Sequence, residues 1–180
     1  VMTGIPSIVA GLFAYALFVL VTGQQGIHVG IGGAVALSLL MIPIVVRSAE
    51  EMLKLVPDDL REASYALGVP KWLTIVRVVL PTAMPGIITG ITLAIARVIG
   101  ETAPLLIIAG STDSVNANLF SGQMMTLPVD IYYSYTQPGL HPEFARSHAW
   151  GAALILIIIV MVLNLTARLL GRLLAPKTGR

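Results

Sequence analysis

The chain has 180 residues, of which 56% are apolar and only 11% are charged, and its mean hydropathy is +0.88. These values lie outside the range of ordinary soluble domains and predict a protein whose solvent is the lipid bilayer. The absence of cysteine excludes disulfides, thiolate metal sites and cysteine nucleophiles, and a net charge of +2 gives little support to nucleic-acid binding.

Four stretches are apolar and long enough to cross a hydrocarbon core that needs about 20 helical residues. They cover residues 5–22, 29–46, 85–109 and 150–170. No charged residue precedes Arg47, and the third stretch is apolar except for Arg97 and Glu101. The sequence therefore predicts an all-α, multi-spanning helical bundle that forms one membrane domain over residues 1–180. The opening segment does not have the pattern of a removable signal peptide.

Basic residues are distributed unevenly around these four stretches. Nine lie between the second and third stretches, at the end of the fourth or after it: Arg47, Lys54, Arg61, Lys71, Arg77, Arg168, Arg172, Lys177 and Arg180. Only Arg146 lies in a loop on the other side. Because cytoplasmic loops retain the excess of Lys and Arg, we predict that residues 47–84 and the C-terminus are cytoplasmic and that residues 110–149 are external.

The cytoplasmic segment 47–84 contains the signals of a short helix. Pro57 is suited to a first helical position, Asp58 and Asp59 follow in the first turn, and Gly68 is a typical stop. Pro70 then opens a second helix.

The spacing i, i+3, i+4 and i+7 places small or apolar residues on one face of the first of these helices, with Arg61 and Glu62 pointing elsewhere. The residues of this face are Leu60, Ala63, Ser64 and Leu67. Such a helix either rests on the membrane surface or docks against a partner, and the periodicity leaves both readings open.

Within this segment, residues 62–68 read Glu-Ala-Ser-Tyr-Ala-Leu-Gly, and nine residues later residues 78–81 read Val-Val-Leu-Pro. This pattern is similar to the EAA loop of the permease subunits of binding-protein-dependent ABC importers, with Ser64 and Val78 as departures. Four further segments, 4–9, 57–62, 100–105 and 125–132, resemble the A-subunit family of bacterial phosphate importers. The match covers nearly the whole chain.

The resemblance implies a permease subunit of MetI-like fold in the bacterial inner membrane, which is not itself an enzyme. The implied partners are a homologous second permease subunit, a cytoplasmic ATPase dimer that carries ATP and Mg, an extracytoplasmic phosphate-binding protein and membrane lipid. This chain would hold no cofactor of its own. The family has six spanning helices, so two N-terminal helices are expected to be missing here. A permease for molybdate or sulfate, and a membrane scaffold that transports nothing, are the alternatives.

The resemblance also implies site residues. The ATPase-coupling loop would use Leu60, Arg61, Glu62, Ala63, Ser64, Ala66, Leu67, Gly68, Leu80 and Pro81. The translocation pathway would use Arg97, Glu101 and Thr102.

Arg97 and Glu101 are spaced i, i+4, which predicts a pair on one helix face. Gly86, Gly90 and Ala94 lie on about the same stripe, and this arrangement of small residues predicts that another helix approaches closely there. A charge at membrane depth costs about 2.5–3.5 kcal/mol even on insertion scales. The pair either locks helices of the bundle together or offers a permanently charged guanidinium to a passing phosphate.

The remaining polar residues give weaker signals. His28, His141 and His148 have no metal-ligand spacing and are interpreted as loop or interface residues, and no metal site is predicted. No glycine is followed by the Lys-Ser/Thr of a nucleotide-binding loop, which places ATP hydrolysis on another subunit. Residues 126–135, with their tyrosines, predict a short interfacial helix that could also meet an external binding protein.

Overall fold

The structure, a computed structural model, describes residues 6–23 and 28–174, although the side chains of Arg172 and Leu174 are not described. The described ranges are helical and contain no strand. Eight α-helices and one π-helical segment follow in order: α1 Ser7–Thr22, α2 Gly30–Lys54, α3 Asp58–Ala66, α4 Lys71–Thr74, the π segment Ile75–Val79, α5 Leu80–Val98, α6 Ala103–Ile108, α7 Leu127–Thr136 and α8 Pro142–Leu174.

The chain divides into two compact units. The first unit contains residues 1–42 and 97–161, and the second contains residues 43–96 and 162–180.

In the first unit, α6 packs against α1, and small residues allow this contact. A Cβ atom at Gly11 would lie 2.7 Å from the Cα atom of Pro104, so that only glycine permits this approach. Ala14, Ala36 and Ile108 form one buried cluster. A second buried cluster joins α6 to α7 and consists of Leu105, Ala109 and Val129.

In the second unit, the end of α2 packs against the π segment and α5. Val56, Val79 and Ala83 are buried together, with Met52, Leu53 and Ile87 around them. The predicted close approach of another helix at Gly86 and Gly90 is confirmed, because a Cβ at these positions would collide with Met52 and Ser48 of α2.

The π segment has a local cause. The Leu80 N–H bonds to the Ile75 carbonyl, five residues back, where an α-helix would bond four residues back. The next residue is Pro81, whose ring in a regular helix would press on the carbonyl of Arg77. The wider turn relieves this clash.

Three described helical segments are long and apolar enough to cross a membrane: Gly30–Lys54, Lys71–Val98 and Pro142–Gly171. The shorter α1 is also apolar. These four helices correspond to the four predicted stretches, apart from Ile5, which lies outside the described residues. The second and fourth helices are longer than predicted. In α2, the polar extension is supported by the ion pairs Arg47–Glu51 and Lys54–Glu50.

The predicted third stretch, 85–109, is wrong as one continuous helix. The helix ends at Val98, residues 99–102 form a turn, and α6 begins at Ala103. The Gly100 and Glu101 N–H groups bond three residues back, to the Arg97 and Val98 carbonyls. Gly100 weakens the helix, and Pro104, which lacks an N–H, removes one of the hydrogen bonds that would continue a helix across the turn.

Candidate functional site

The helix pair α3–α4 has the ends that the sequence predicts. Pro57 immediately precedes α3, with Asp58 and Asp59 in the first turn, and Pro70 immediately precedes α4. Gly68 has a φ of +74°, the left-handed conformation that ends a helix at little cost for glycine. The Gly68 N–H bonds to the Tyr65 carbonyl at 2.9 Å.

A buried hydrogen bond joins α3 to α4. The hydroxyl oxygens of Ser64 and Thr74 lie 2.9 Å apart, and both residues are buried. Each hydroxyl satisfies the other inside the loop, which prevents the cost of an unpaired buried polar group. Ser64, where the EAA pattern has alanine, therefore stabilises the α3–α4 pair in this chain.

The rest of the predicted face of α3 is open. Leu60 is 42% exposed and Leu67 is 83% exposed, and Glu62, Ala63 and Ala66 are exposed as well. Of the four residues that define the face, only Ser64 is buried. Four exposed residues of α3, Leu60, Glu62, Ala63 and Ala66, together with Leu67 at its C-cap, are named the docking face. Leu80 and Pro81, at the start of α5, are also exposed.

The periodicity places Arg61 off the face formed by Leu60, Ala63, Ser64 and Leu67 but does not say what Arg61 contacts; in the structure it turns toward the end of α2. Its Nη2 atom donates a hydrogen bond to the Leu53 carbonyl at 3.0 Å, and its Nη1 atom lies 3.6 Å from Asp58. Its Nε atom is buried without a hydrogen-bond partner. The periodicity missed this arrangement because it treated α2 as ending near Val46.

Arg97, Glu101 and Thr102 do not form the predicted arrangement. Arg97 is exposed, whereas Glu101 and Thr102 are half-buried. Within the described ranges, Arg97 forms no hydrogen bond or ion pair, so the predicted i, i+4 pair with Glu101 is wrong. The reason is that α5 ends at Val98, which removes Glu101 from the helix face that carries Arg97.

The turn at 99–102 lies at the depth of α1 and not beyond its end. Pro104, two residues after the turn, contacts Gly11, the fifth of the 16 residues of α1. Gly11 is therefore about 16 Å from the Thr22 end of this apolar helix, at 1.5 Å per residue. A non-helical turn at membrane depth is stable only when it is buried in protein or lines an aqueous cavity.

Sequence reasoning missed a polar cavity of about 600 Å³ in the first unit. It lies between α6, α7 and the loop that follows α6, and its lining includes His28, Asp113, Asp130, Gln123 and Gln137. Asp130 is held by His148 at 3.0 Å. No sequence spacing connects these residues, because three separate elements bring them together.

The whole chain, residues 1–180, matches the family described as binding-protein-dependent transport system inner membrane component. The chain belongs to this family. Membership accounts for the apolar composition, and it makes the chain a component of an inner-membrane transport system.

Several relatives are named as phosphate permeases. The chain is 54% identical over 180 residues to phosphate transport system permease protein PstA 1 of Mycobacterium tuberculosis, which covers 100% of this chain and 56% of that protein. It is 43% identical to PstA of Yersinia pestis, over 94% of this chain and 55% of that protein. The chain thus spans about half the length of the curated relatives it matches.

The fold is also similar to a solved structure of the MetNI methionine ABC transporter in inward-facing conformations. The TM-score is 0.74 at 22% sequence identity, with 97% of this chain and 71% of the other chain covered. The predicted fold, an all-α permease bundle of MetI-like type, is therefore confirmed.

Proposed function

We propose that this chain belongs to a permease subunit of an ATP-driven importer of inorganic phosphate. The observation that carries the proposal is the identity of 54% along the full chain with a relative named as a phosphate transport permease. The segments similar to the phosphate branch lie in four parts of the chain, at 4–9, 57–62, 100–105 and 125–132, so the similarity is not confined to the coupling loop.

The docking face of α3 is the proposed contact for a cytoplasmic ATPase. Its small residues, Ala63 and Ala66, permit close approach to a partner, and Leu67 offers an apolar side chain that is 83% exposed. ATP and Mg would bind the ATPase, and this chain would hold no cofactor. Residues 47–84 and the C-terminus would be cytoplasmic, as the excess of basic residues favours.

The turn at 99–102, together with Arg97, is the proposed contact of this chain with the passing anion. Arg97 is exposed and unpaired within the described residues, so its guanidinium is available for a charge-assisted hydrogen bond to phosphate. The half-buried carboxylate of Glu101 lies nearby along the chain and would weaken the attraction, so that the anion can leave. A second permease subunit would complete the pathway, and an external phosphate-binding protein would deliver the anion.

The proposal is tested by uptake of radiolabelled phosphate into proteoliposomes. They contain the full-length subunit with its second permease subunit and ATPase, and the binding protein is added outside. The expected result is ATP-dependent uptake of labelled phosphate that is reduced by unlabelled phosphate and not by sulfate or molybdate. Competition by sulfate or molybdate would assign another oxyanion, and no uptake by the assembled complex would contradict the transport role.

A further inference from the structure

Arg61 supplies a hydrogen bond that the backbone cannot make. The Leu53 carbonyl lies in the last turn of α2, where its regular partner would be the N–H of residue 57. Residue 57 is proline and has no N–H. The Nη2 atom of Arg61 takes this place at 3.0 Å, and a cation is also favourable at the negative end of the α2 dipole.

Arg61 and Ser64 connect α3 to different elements. Ser64 bonds to Thr74 and thereby to α4, whereas Arg61 bonds to Leu53 and thereby to α2. These are the described side-chain hydrogen bonds that leave α3. Arg61 therefore makes the described side-chain hydrogen bond from α3 to the end of α2, in addition to the chain link at residues 55–57 and the packing of α3 against the π segment.

The end of α2 that contains Leu53 is well packed. Leu53 and Met52 surround the buried cluster of Val56, Val79 and Ala83. A displacement of α3 that is passed to Leu53 therefore moves a packed part of the protein and not a loose loop end. In contrast, Lys54 at the same helix end forms an ion pair with Glu50 of its own helix, and its side chain is 72% exposed.

We propose that Arg61 is a positioning residue that passes displacement of the docking face to α2, and that it is not itself a contact to the ATPase. The inference rests on the proposed function, since it assigns a role within the coupling loop. Without the Arg61–Leu53 bond, α3 stays joined to α4 but can rock against the end of α2. ATP hydrolysis then continues while transport falls.

The test uses the full-length complex in proteoliposomes and compares Arg61→Met, Arg61→Lys and the control Lys54→Met. Three quantities are measured: the ATPase retained on purification, the rate of ATP hydrolysis, and phosphate uptake. For Arg61→Met we expect wild-type ATPase retention and continued hydrolysis. Uptake should fall about tenfold, so that the ATP used per phosphate rises by the same factor. Arg61→Lys keeps a cation and a donor and should recover most of the uptake, and Lys54→Met should match wild type.

Loss of the ATPase from the Arg61→Met complex would overturn the inference in favour of a direct contact. A parallel fall of hydrolysis and uptake, or no change in either, would also overturn it. If the Arg61→Met subunit is not recovered from the membrane at all, which is distinct from losing the ATPase, the polar variant Arg61→Gln is assayed with the same expectations. Wild-type uptake of another anion would contradict the proposed substrate only, because the ATP used per transported anion would still test Arg61.

Discussion

Gly68 combines a left-handed backbone conformation, which would strain any residue with a side chain, with open space around it. Its φ is +74°, and a Cβ added there would meet no atom within 4 Å in the described chain. Within this chain, a substitution therefore lowers stability only through the backbone conformation, by about 1–2 kcal/mol for a residue in the left-handed region. Any steric conflict of a larger side chain must arise with a partner.

Gly68→Leu is expected to insert into the membrane normally but to abolish phosphate uptake, because its side chain would project from the loop where the ATPase is proposed to dock. Gly139→Leu is the matched control, since Gly139 has a φ of +61° and open space as well, but lies in the predicted external loop. Membrane yield and uptake are measured for both variants. Equal loss of uptake in the two would show that backbone strain alone is responsible.

Arg97→Gln is expected to abolish phosphate uptake while the complex still assembles, because glutamine keeps a polar side chain but removes the charge that attracts the anion. Arg97→Lys should retain part of the uptake, since a lysine keeps the charge without the planar fork. Uptake and the recovery of intact complex by size-exclusion chromatography are the measurements. Failure of Arg97→Gln to assemble would instead support the alternative that Arg97 locks helices together.

Local chemistry made part of this site predictable. Pro57, the acidic first turn and Gly68 act on their own neighbours, so the bounds of α3 follow from the sequence. The direction of Arg61 does not. The direction of Arg61 depends on how far α2 extends and on which carbonyl is left without a donor by Pro57. The periodicity within α3 predicts neither of these.

At the scale of the helices, the fit of α6 against α1 determines where the turn at 99–102 lies. The contact depends on Gly11, beside the Pro104 backbone. Apolar length alone predicted one span over 85–109, because hydropathy does not register a break whose residues are stabilised by packing. Pro104 and Gly100 were visible in the sequence, but the position of the turn depends on the packing of α6 against α1 and α7.

Gly11→Ala is expected to destabilise the protein by about 1–3 kcal/mol, since its Cβ would lie 2.7 Å from a backbone atom that cannot rotate away. Gly151→Ala, in α8, meets open space and should leave stability unchanged or raise it by up to about 1 kcal/mol, the gain in helix propensity. Thermal unfolding in detergent compares the two variants. A Gly11→Ala protein as stable as wild type would show that α6 can move away from α1.

At the scale of the whole molecule, the predicted orientation can be examined directly because these 180 residues contain no cysteine. Val115, between α6 and α7, and Leu55, between α2 and α3, are both highly exposed. The distribution of basic residues predicts that they lie on opposite sides of the membrane.

Val115→Cys is expected to react with a membrane-impermeant maleimide added outside intact cells, whereas Leu55→Cys should react only in inverted vesicles. The physical reason is that the basic residues retain the segment around Leu55 in the cytoplasm. Labelling is measured on the purified subunit, with the unsubstituted chain as the control for background. The reverse pattern would overturn the proposed orientation, and the docking face could not then meet a cytoplasmic ATPase.

The π segment at Ile75–Val79 sets the rotational position of the coupling loop about the axis of α5. One residue subtends about 100° of an α-helix, so a turn that contains one extra residue rotates everything before it by that angle. Deleting a residue here would leave Gly68 and the docking face chemically intact but facing a different quadrant. The number of residues between Gly68 and Val78, which is nine, therefore sets the direction in which the docking face points around the axis of α5. For this direction the number of residues matters more than their identity.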